Sequence, residues 1–390
     1  MTIVYGLLVA ALIISAGALI MTIWNLALYH RPKPDATPSN PNGRVSVCIP
    51  VRNEEKNLRP CVEAILASTH RNLEVLVYDD HSTDATPRLL DALMEQDDRV
   101  RRVPTQPLPA GWNGKQFGCD QMGKVASGDW LIFTDADVRF EPGAISAALS
   151  EAERLDAAMV STFPRQITGS LSEKLILPMI MFILLSYLPM IRMRRTLDPS
   201  ASAGCGQFLM VTRDAYRKAG GHAAFRDSMH DGIKLPREVR KAGYKSDLFD
   251  GTDLLRVRMY EGFRATWRGF AKNAYEGLGS VGLLIFLTLL HAVGHIWPWA
   301  FLVACAVRGE WWGLATTFAA SAIAIQLAQR AILARTFAQS MPAVLLHPVS
   351  LILMTLIQWH SFWLHVTGRR RWRGRTQLAG KADALAGHEG

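Results

Sequence analysis

The stretch Trp130-Leu-Ile-Phe-Thr-Asp-Ala-Asp-Val138 joins a short apolar run to two closely spaced carboxylates. The pattern predicts a buried strand over residues 131–133 that ends just before Asp135 and Asp137. Because residues i and i+2 of an extended chain project to the same face, both carboxylates are expected to point to one place. Two hard anionic oxygens at the carboxyl end of a strand suit a divalent cation that carries a diphosphate. A solvated turn is the alternative interpretation of the same residues.

Strand and helix patterns alternate on both sides of this stretch. Short β-branched or apolar runs predict strands over residues 45–49, 73–78, 131–133 and 157–162. Helices are predicted over residues 54–67, 85–94, 116–125 and 142–154. Such alternation is typical of an α/β domain with a mostly parallel sheet, whose ligands bind at the carboxyl ends of the strands.

Polar clusters follow three successive predicted strands, at the place where that rule expects a ligand. They are Pro50-Val-Arg-Asn-Glu-Glu55, Asp79-Asp-His-Ser-Thr-Asp84 and Asp135-Ala-Asp137. Each cluster alone is compatible with loop solvation or helix capping, but acidic groups after all three strands favour a shared site. The sequence has no glycine-rich phosphate loop, which disfavours a Rossmann dehydrogenase or a P-loop enzyme.

Residues 1–30 are predicted to form an amino-terminal transmembrane signal anchor. Residues 7–28 contain no charged side chain and exceed the length needed to cross a bilayer. A cleaved signal peptide is the alternative, but the sequence shows neither a basic amino-terminal region nor a small-residue cleavage site. Residues 31–43, rich in Pro, Asn and Ser, predict a linker. His30, Arg31 and Lys33 follow the anchor, so the positive-inside rule predicts a cytoplasmic main domain.

A second membrane region is predicted over residues 278–367. It contains three long apolar stretches, residues 278–307, 311–327 and 343–366, with a polar connector predicted at 326–339. The basic tail over residues 368–390 favours the cytoplasmic face. Three crossings after a cytoplasmic domain would instead place that tail outside. A broken or hairpin element within 278–307 would remove this conflict.

The formal net charge of +9 is compatible with a nucleic-acid partner or with a membrane surface. Many of the basic residues flank apolar segments, which favours contact with anionic headgroups. Zinc-finger spacings and aromatic RNA-binding signatures are absent from the sequence, so no nucleic-acid partner is expected. The five cysteines are scattered and predict reduced, packed thiols rather than a disulfide or metal framework.

Three motifs carry a resemblance to a known family. Val45-Ser-Val-Cys-Ile-Pro-Val-Arg-Asn-Glu-Glu55, Val77-Tyr-Asp-Asp-His-Ser-Thr-Asp84 and Phe133-Thr-Asp-Ala-Asp137 resemble those of family 2 glycosyltransferases with the GT-A fold. The resemblance covers residues 44–277 and implies a Rossmann-like α/β domain with a mostly parallel sheet. The membrane pattern extends it to the membrane-bound subgroup that includes ceramide glucosyltransferases and bacterial hopanoid- or carotenoid-associated glycosyltransferases.

The resemblance also implies roles for the first two polar clusters. The loop with Pro50, Arg52 and Glu54 would hold the base and ribose of a nucleotide sugar together with Asp80, since a carboxylate and a backbone carbonyl can both accept hydrogen bonds from these groups. His81 stands where the family usually has glycine. That change puts the turn shape in question, although His tolerates a positive φ better than bulkier residues do.

For the third cluster, the resemblance implies a metal site. Asp135 would reach the ribose or the metal, and Asp137 would coordinate Mg²⁺ or Mn²⁺. The metal would neutralise the diphosphate as the glycosidic bond breaks.

Asp231 is the candidate catalytic base for the acceptor hydroxyl. It precedes a helix predicted over residues 233–242, and the resemblance places the base here, although the family more often has Glu-Asp or Asp-Asp where this chain has His230-Asp231. A carboxylate in that role contributes roughly 10²–10⁴-fold in rate. Helix capping is the alternative role for Asp231.

Three further segments are candidates for contacts with ligands. Lys115, in Trp112-Asn-Gly-Lys115, would touch donor phosphates, with surface solvation as the alternative. The glycines of Gly204-Cys-Gly-Gln-Phe208 are expected to let a ligand approach the backbone closely. The third segment is a degenerate match to the family's Gln/Arg-x-x-Arg-Trp motif and contains Arg264, Trp267 and Arg268. These residues would line the diphosphate or acceptor site. The alternative is a basic helix beside the membrane.

Residues 175–191 are apolar but contain Pro178 and Pro189. A crossing here would separate Asp137 from Asp231, so an interfacial or re-entrant segment on the cytoplasmic leaflet is expected, which favours a lipid acceptor. The resulting hypothesis is an inverting hexosyltransferase, multi-pass in the cell (inner) membrane, that uses a nucleotide sugar, with a UDP-sugar favoured. A processive polysaccharide synthase and a catalytically silent membrane scaffold are the alternatives.

Overall fold

The computed structural model describes residues 2–311, 313–369, 371–372 and 375–376, which form two compact units. A helical unit combines residues 2–28, 168–189 and 260–367, and a larger unit combines residues 29–167 with 190–259. Residues 168–189 and 260–277 were predicted to belong to the glycosyltransferase domain. The structure differs because these segments pack on other helices of the helical unit; for example, Asn25 donates to the carbonyl of Leu185 at 2.8 Å.

The strands and helices follow in chain order. The strands are β1 Val45–Val51, β2 Leu73–Asp79, β3 Val100–Arg102, β4 Trp130–Phe133, β5 Val138–Phe140, β6 Met159–Thr162, β7 Arg165–Gln166, β8 Leu209–Thr212, β9 Ser246–Phe249, β10 Leu255–Val257, β11 Arg371–Trp372 and β12 Arg375–Thr376. The helices are α1 Thr2–Leu28, α2 Leu58–Leu66, α3 Thr86–Gln96, α4 Gly114–Val125, α5 Ala144–Leu155, α6 Leu171–Ile176, α7 Met179–Tyr187, α8 Met190–Arg195, α9 Arg213–Lys218, α10 Asp231–Lys241, α11 Gly262–Ala271, α12 Ala274–Leu278, α13 Val281–His291, α14 Trp297–Arg308, α15 Leu314–Thr336 and α16 His347–Val366. Short 3-10 turns cover Pro199–Ala201, Gly221–Phe225 and Pro342–Leu346, and a π-helical turn covers Ala292–Ile296.

A seven-stranded sheet in the order β3-β2-β1-β4-β8-β6-β9 forms the centre of the larger unit. Neighbouring strands are parallel except at β8, which runs antiparallel to both β4 and β6. The predicted mostly parallel α/β sheet is therefore confirmed, as are its four predicted strands. A second sheet, β5-β10-β7, was not predicted because its strands are only two or three residues long.

Helices cover both faces of the central sheet. Val47 and Ile49 of β1 pack in a core cluster with α2, α3 and α5, whereas Cys48 between them packs with α4 and α10. Strands buried on both faces are expected to read as continuous apolar runs, which is why this sheet could be predicted from the sequence.

Four helices are long and apolar enough to cross a membrane, namely Thr2–Leu28, Val281–Arg308, Leu314–Thr336 and Pro342–Val366. The predicted polar connector at 326–339 is wrong, because α15 continues to Thr336. The amides of Gln326 and Gln329 are buried and donate to α1, to Ser15 at 3.1 Å and to Thr22 at 2.7 Å. The polar run is thus the interior face of a helix.

The stretch predicted as a broken or hairpin element continues instead through the π-helical turn Ala292–Ile296 into α14. Gly294 lies in this turn, where an added Cβ would lie 2.4 Å from the side chain of Ile14. Residues 175–191, by contrast, are broken into short helices at Pro178 and Pro189. The longest of them, α7, has nine residues and is too short to cross a bilayer.

The predicted linker at 31–43 has no helix or strand, but it is fixed to the larger unit. Arg31 pairs with Asp250 at 2.7 Å, and the Ser39 amide donates to Glu153 at 2.8 Å. Most of the basic tail predicted over residues 368–390 lies outside the described residues.

Candidate active site

The loop after β4 holds Asp135 and Asp137 at the carboxyl end of a central strand. The hydroxyl of Thr134 donates to the carbonyl of Gln207 at 2.7 Å. Arg139, which the sequence analysis did not single out, donates to the carbonyls of Ala136 and Val138 at 2.9 and 3.1 Å. These bonds fix the turn that separates the two carboxylates.

Asp137 is an acid in an unfavourable electrostatic position. Its Oδ1 is buried and, among the described residues, has no hydrogen-bond partner. Burial, together with the charges of Asp135 and Glu54, raises the pKa of the Asp137 carboxyl to about 7. Such a carboxylate is stabilised by any cation that enters the site.

Lys115 links two acids that are far apart in the sequence. Its Nζ lies 2.7 Å from Oδ1 of Asp135 and 2.9 Å from Oδ2 of Asp231. Burial alone would lower the pKa of Lys115, but Asp135 and Asp231 raise it well above its ordinary value. Only 17% of the side chain is exposed, so the surface-solvation alternative is wrong.

The position of Lys115 follows from local structure. It is the second residue of α4, and its backbone amide donates to the side chain of Asn113 at 3.0 Å. This is an ordinary amino-terminal cap. The sequence analysis began this helix at Gln116, two residues late, because Gly114 and Lys115 were assigned to the preceding loop.

Asp231 is the buried first residue of α10. Burial alone would raise the pKa of its carboxyl, but the ammonium of Lys115 outweighs that effect and the pKa is lowered. The N-cap position belongs to His230, whose side chain makes no capping bond. Besides its ion pair with Lys115, the Asp231 carboxylate accepts from the backbone amide of the adjacent Gly232 at 2.9 Å. Asp231 therefore faces the acidic cluster rather than serving mainly as a helix cap.

The glycines before β8 let two parts of the protein approach each other closely. A Cβ on Gly206 would lie 2.2 Å from Oδ1 of Asp231, and one on Gly204 would lie 2.7 Å from the carbonyl of Gly232. They allow the start of α10 to approach the backbone closely. Gly206 thus makes room for the Asp231 carboxylate and Gly204 for the backbone of Gly232, and close approach of a ligand to these glycines stays a prediction.

The loops after β1 and β2 form one connected edge. Arg52 donates to the carbonyl of Asp80 at 2.5 Å, and its guanidinium lies 3.5 Å from the Asp80 carboxylate. Asn53 and Ser82 are joined by an amide-to-hydroxyl bond of 2.9 Å. Pro50 lies half-buried on β1, beside these loops.

His81 has a φ of 56°, a left-handed conformation that usually favours glycine. The expectation that His tolerates this conformation is confirmed. The imidazole Nδ1 lies 3.3 Å from Asp80, so the residue that replaces glycine also contacts the neighbouring acid.

Glu54 lies near Asp135 and Asp137. Its carboxylate accepts from Asn57 at 3.0 Å and contributes to the raised pKa of Asp137. Glu54 is thus close to the candidate metal ligands, a position that the sequence analysis did not predict.

The degenerate motif lies on α11 of the helical unit. The Trp267 indole donates to Nδ1 of His360 on α16 at 2.8 Å, and Arg264 and Arg268 are exposed. Contact of these three residues with donor or acceptor stays a prediction.

The Asp135–Asp137 turn offers a divalent metal two carboxylate ligands. No group of three or more His, Cys, Asp or Glu side chains in the described part of the chain is arranged to hold a metal. Mg²⁺, however, is usually bound through one or two carboxylates with substrate phosphates and water completing the shell. The buried, unpartnered Oδ1 of Asp137 beside Asp135 matches that kind of donor set.

Comparison with known proteins supports the same interpretation. Residues 46–220 match the glycosyl transferase family 2 domain. The chain is 28% identical over 258 residues to 4,4'-diaponeurosporenoate glycosyltransferase of Staphylococcus haemolyticus, covering 65% of this chain and 67% of the relative. It is 30% identical over 132 residues to GalNAc(5)-diNAcBac-PP-undecaprenol beta-1,3-glucosyltransferase of Campylobacter jejuni, covering 34% of this chain and 41% of that relative. The match thus spans less than half the length of the second relative.

A solved structure supports the fold. Mannosyltransferase PcManGT from Pyrobaculum calidifontis, in complex with GDP-Man and Mn²⁺, superposes with a TM-score of 0.53 over 91% of this chain and 99% of its own. The two sequences are 18% identical, so the likeness concerns the fold. Residues 46–220 therefore form a glycosyl transferase family 2 domain, and the fold is GT-A-like.

Proposed function

We propose that the protein transfers a hexose from a nucleotide diphosphate sugar, with a UDP-sugar favoured, to a lipid hydroxyl at the cytoplasmic face of the cell (inner) membrane. The names of the two relatives, which include diaponeurosporenoate and undecaprenol, support a lipid acceptor. Four helices of membrane-crossing length support a multi-pass location. The GDP-Man in the solved neighbour supports a nucleotide-sugar donor.

The observation that carries the proposal is the shared ion pair of Lys115. It joins Asp135, at the end of a sheet strand, to Asp231, at the start of α10. A candidate base and a candidate donor-binding acid are therefore only one side chain apart. A transfer reaction needs this proximity, because acceptor and donor must meet at one carbon atom.

In the proposed reaction, Asp231 accepts the proton of the acceptor hydroxyl. The hydroxyl oxygen forms a bond to the anomeric carbon while the bond from that carbon to the diphosphate oxygen breaks on the opposite face, which inverts the configuration. The lowered pKa of Asp231 keeps its carboxyl ionised and able to accept a proton. If Lys115 moves from Asp231 to a donor phosphate, the carboxylate loses its neighbouring cation and becomes a stronger base.

The donor would lie along the carboxyl edge of the sheet. Asp80 and Arg52, with the backbone at Pro50, would hold the base and ribose, and Asp137 with Asp135 would hold Mg²⁺ or Mn²⁺. The ion, when bound, neutralises charge that develops on the diphosphate leaving group. Residues 175–191 would lie at the membrane interface, where a lipid hydroxyl emerges.

The test is a screen of radiolabelled UDP- and GDP-sugars with native membranes, followed by lipid extraction. We expect label in the lipid phase, and Asp231→Asn should lower its rate of appearance by about 10²–10⁴-fold. Asp227→Asn is the matched control, because Asp227 is an exposed acid four positions earlier. Label in long polymers would favour the processive synthase. Label confined to soluble products contradicts the lipid acceptor, and no turnover with any donor favours the silent scaffold.

A further inference from the structure

A cluster of polar side chains lies inside the helical unit and has no role in the proposed transfer reaction. It contains His291 at the end of α13, His295 in the π-helical turn and His347 at the start of α16, all fully buried. The ring centroids of His291 and His295 are 6.1 Å apart, and those of His295 and His347 are 5.5 Å apart. Segments that are distant in the chain thus bring three imidazoles together.

Most of the hydrogen-bonding capacity of these imidazoles is unused. Both ring nitrogens of His291 and of His347, and Nδ1 of His295, are buried without a hydrogen-bond partner among the described residues. Only Nε2 of His295 has a polar neighbour, the hydroxyl of Tyr187 at 3.3 Å. Buried polar groups are normally hydrogen-bonded, so a set of five free nitrogens in one place needs an explanation.

Arg330 of α15 adds a positive charge to this cluster. It is 2% exposed, and its helix packs against both the π-helical turn that holds His295 and the helix that holds His347. Its Nε and Nη1 have no hydrogen-bond partner, and no carboxylate of the described residues lies within ion-pair distance of it. An ionisable residue in a membrane helix normally has a partner and marks a functional site.

The side-chain amide nitrogens next to the cluster, by contrast, are hydrogen-bonded. Gln329, one position before Arg330, donates to the carbonyl of Ala18, the hydroxyl of Thr22 and the hydroxyl of Ser186. Gln326 is similarly bonded to Ser15 and to Trp299. The helical unit therefore provides acceptors for these amide nitrogens, although Oε1 of Gln329 is also buried without a partner among the described residues, and it leaves Nε and Nη1 of Arg330 and the five imidazole nitrogens available.

The charge of the cluster determines what it can bind. A metal ion would be repelled by the guanidinium, and the described residues contain no group arranged to hold one. An anion would be attracted by Arg330, whose planar fork matches two oxygens of a phosphate, while neutral imidazoles can donate further hydrogen bonds. Basic pockets between membrane helices are known sites for lipid headgroups.

The charged member of the cluster lies near the end of its helix. Arg330 lies six residues before the end of α15, which corresponds to roughly 9 Å along the helix. We propose that Arg330, His291, His295 and His347 form a site for the phosphate of a lipid headgroup inside the helical unit. This proposal goes beyond glycosyl transfer, since it does not require the bound lipid to be the acceptor.

The test uses the full-length protein in a non-ionic detergent and measures its thermal unfolding midpoint. The probes are dihexanoyl phosphatidic acid, dihexanoylglycerol, which lacks the phosphate, and inorganic phosphate. We expect only phosphatidic acid to raise the midpoint. Arg330→Gln should raise its half-saturating concentration by about tenfold, as expected for the loss of a charged hydrogen bond.

Two controls separate the site from general charge effects. Arg335→Gln makes the same change at an exposed position of the same helix and should leave the phosphatidic acid response unaltered. His365→Gln is the matched control for His347→Gln, because His365 is an exposed histidine on the same helix, α16. It should likewise leave the phosphatidic acid response unaltered. If Arg330→Gln does not fold, the pair His347→Gln and His365→Gln decides the result.

Three outcomes overturn the proposal. An equal response to inorganic phosphate would show a free-anion site, and an equal response to dihexanoylglycerol would show that the phosphate is not recognised. An unchanged half-saturating concentration in both Arg330→Gln and His347→Gln would show that the lipid binds elsewhere.

Discussion

The ammonium of Lys115 lies between Asp135 and Asp231, in the position that a cation or a donor phosphate would perturb first. Its two partners differ in environment: Asp231 is nearly buried, whereas a third of the Asp135 side chain is exposed. The ion pair with Asp231 is therefore less screened by solvent, and removing its cation should cost more stability than breaking the pair with Asp135 alone.

Replacing Lys115 by Met should both destabilise the larger unit and impair donor binding. We expect a loss of about 1–3 kcal/mol, because a buried carboxylate loses its cationic partner. Donor KM should rise if the ammonium also contacts the diphosphate. Thermal unfolding and initial-rate kinetics measure the two effects. Lys124→Met is the control, since Lys124 is 63% exposed and its pair with Asp120 should be worth less than about 1 kcal/mol.

Asp137 gives a prediction about pH. Its pKa is raised from 3.8 to about 7, so the folded protein holds a proton that the unfolded chain releases. This contribution to stability is fully present below about pH 4 and is lost as the pH rises through 7. A divalent cation replaces the proton, so Mg²⁺ should raise the unfolding midpoint more at pH 8 than at pH 5.5, by roughly 2–4 °C for each kcal/mol.

Asp137→Asn should abolish this difference between the two pH values. Asp227→Asn, at an exposed position, should preserve it. An equal effect of Mg²⁺ on wild-type protein at both pH values would contradict the assignment of Asp137 as a metal ligand.

At the scale of elements, the start of α10 is positioned by the segment before β8. The approach depends on the missing side chains of Gly204 and Gly206, with Asp231 directly against Gly206. The polar loops after β1 and β2 are connected in a different way, through side-chain bonds such as that between Asn53 and Ser82. The candidate site therefore combines a tightly packed candidate base, Asp231, with a hydrogen-bonded pair of loops after β1 and β2, here called the donor edge because the nucleotide sugar is proposed to bind there.

Gly206→Ala should displace Asp231 without altering the donor edge. The added Cβ would lie 2.2 Å from Oδ1, closer than any real contact, so the carboxylate must move. We expect kcat to fall by at least about tenfold with donor KM little changed, since misplacement of a base by about 1 Å can cost 10²-fold. Cys205→Ala, a neighbouring small substitution, should leave kcat near the wild-type value.

At the scale of the whole molecule, the order of the membrane helices bears on the position of the chain end. α15 runs parallel to α1, since Gln326 bonds to Ser15 and Gln329 to Thr22. The α13–α14 stretch runs antiparallel to α1, with Gly294 opposite Ser15 and Phe301 in the core cluster of Leu8.

α16 extends over only part of the length of the α13–α14 stretch. Its first residue, His347, lies against His295 in the middle of the α13–α14 stretch, and near its end His365 lies against Tyr275, which precedes α13. A helix with these neighbours returns towards the face from which α13 starts. We therefore predict that the chain leaves α16 on the face of the membrane from which α13 starts, which reconciles a basic cytoplasmic tail with three preceding crossings.

Cysteine labelling tests this topology. In a chain whose native cysteines are replaced, a membrane-impermeant maleimide should label Glu310→Cys, in the loop between α14 and α15, in intact cells. Thr367→Cys, after α16, should react only after permeabilisation. Labelling of both positions in intact cells would show that α16 crosses the membrane.

The sequence by itself determined the features that rest on local pattern. The central strands could be predicted because a parallel sheet covered on both faces reads as apolar runs. The acids at the strand ends followed from the direction of those strands, and the apolar helices from their length. The family 2 motifs could also be recognised from short stretches of sequence.

Only the tertiary structure decided which distant residues meet. No periodicity relates Lys115 to Asp135 and Asp231, or Gly206 to Asp231, because these contacts depend on packing between elements. The polar face of α15 was misread as a connector, since a sequence does not show which side of a helix other helices cover. The cluster of Arg330 with three histidines is likewise a product of packing, because its members come from separate helices.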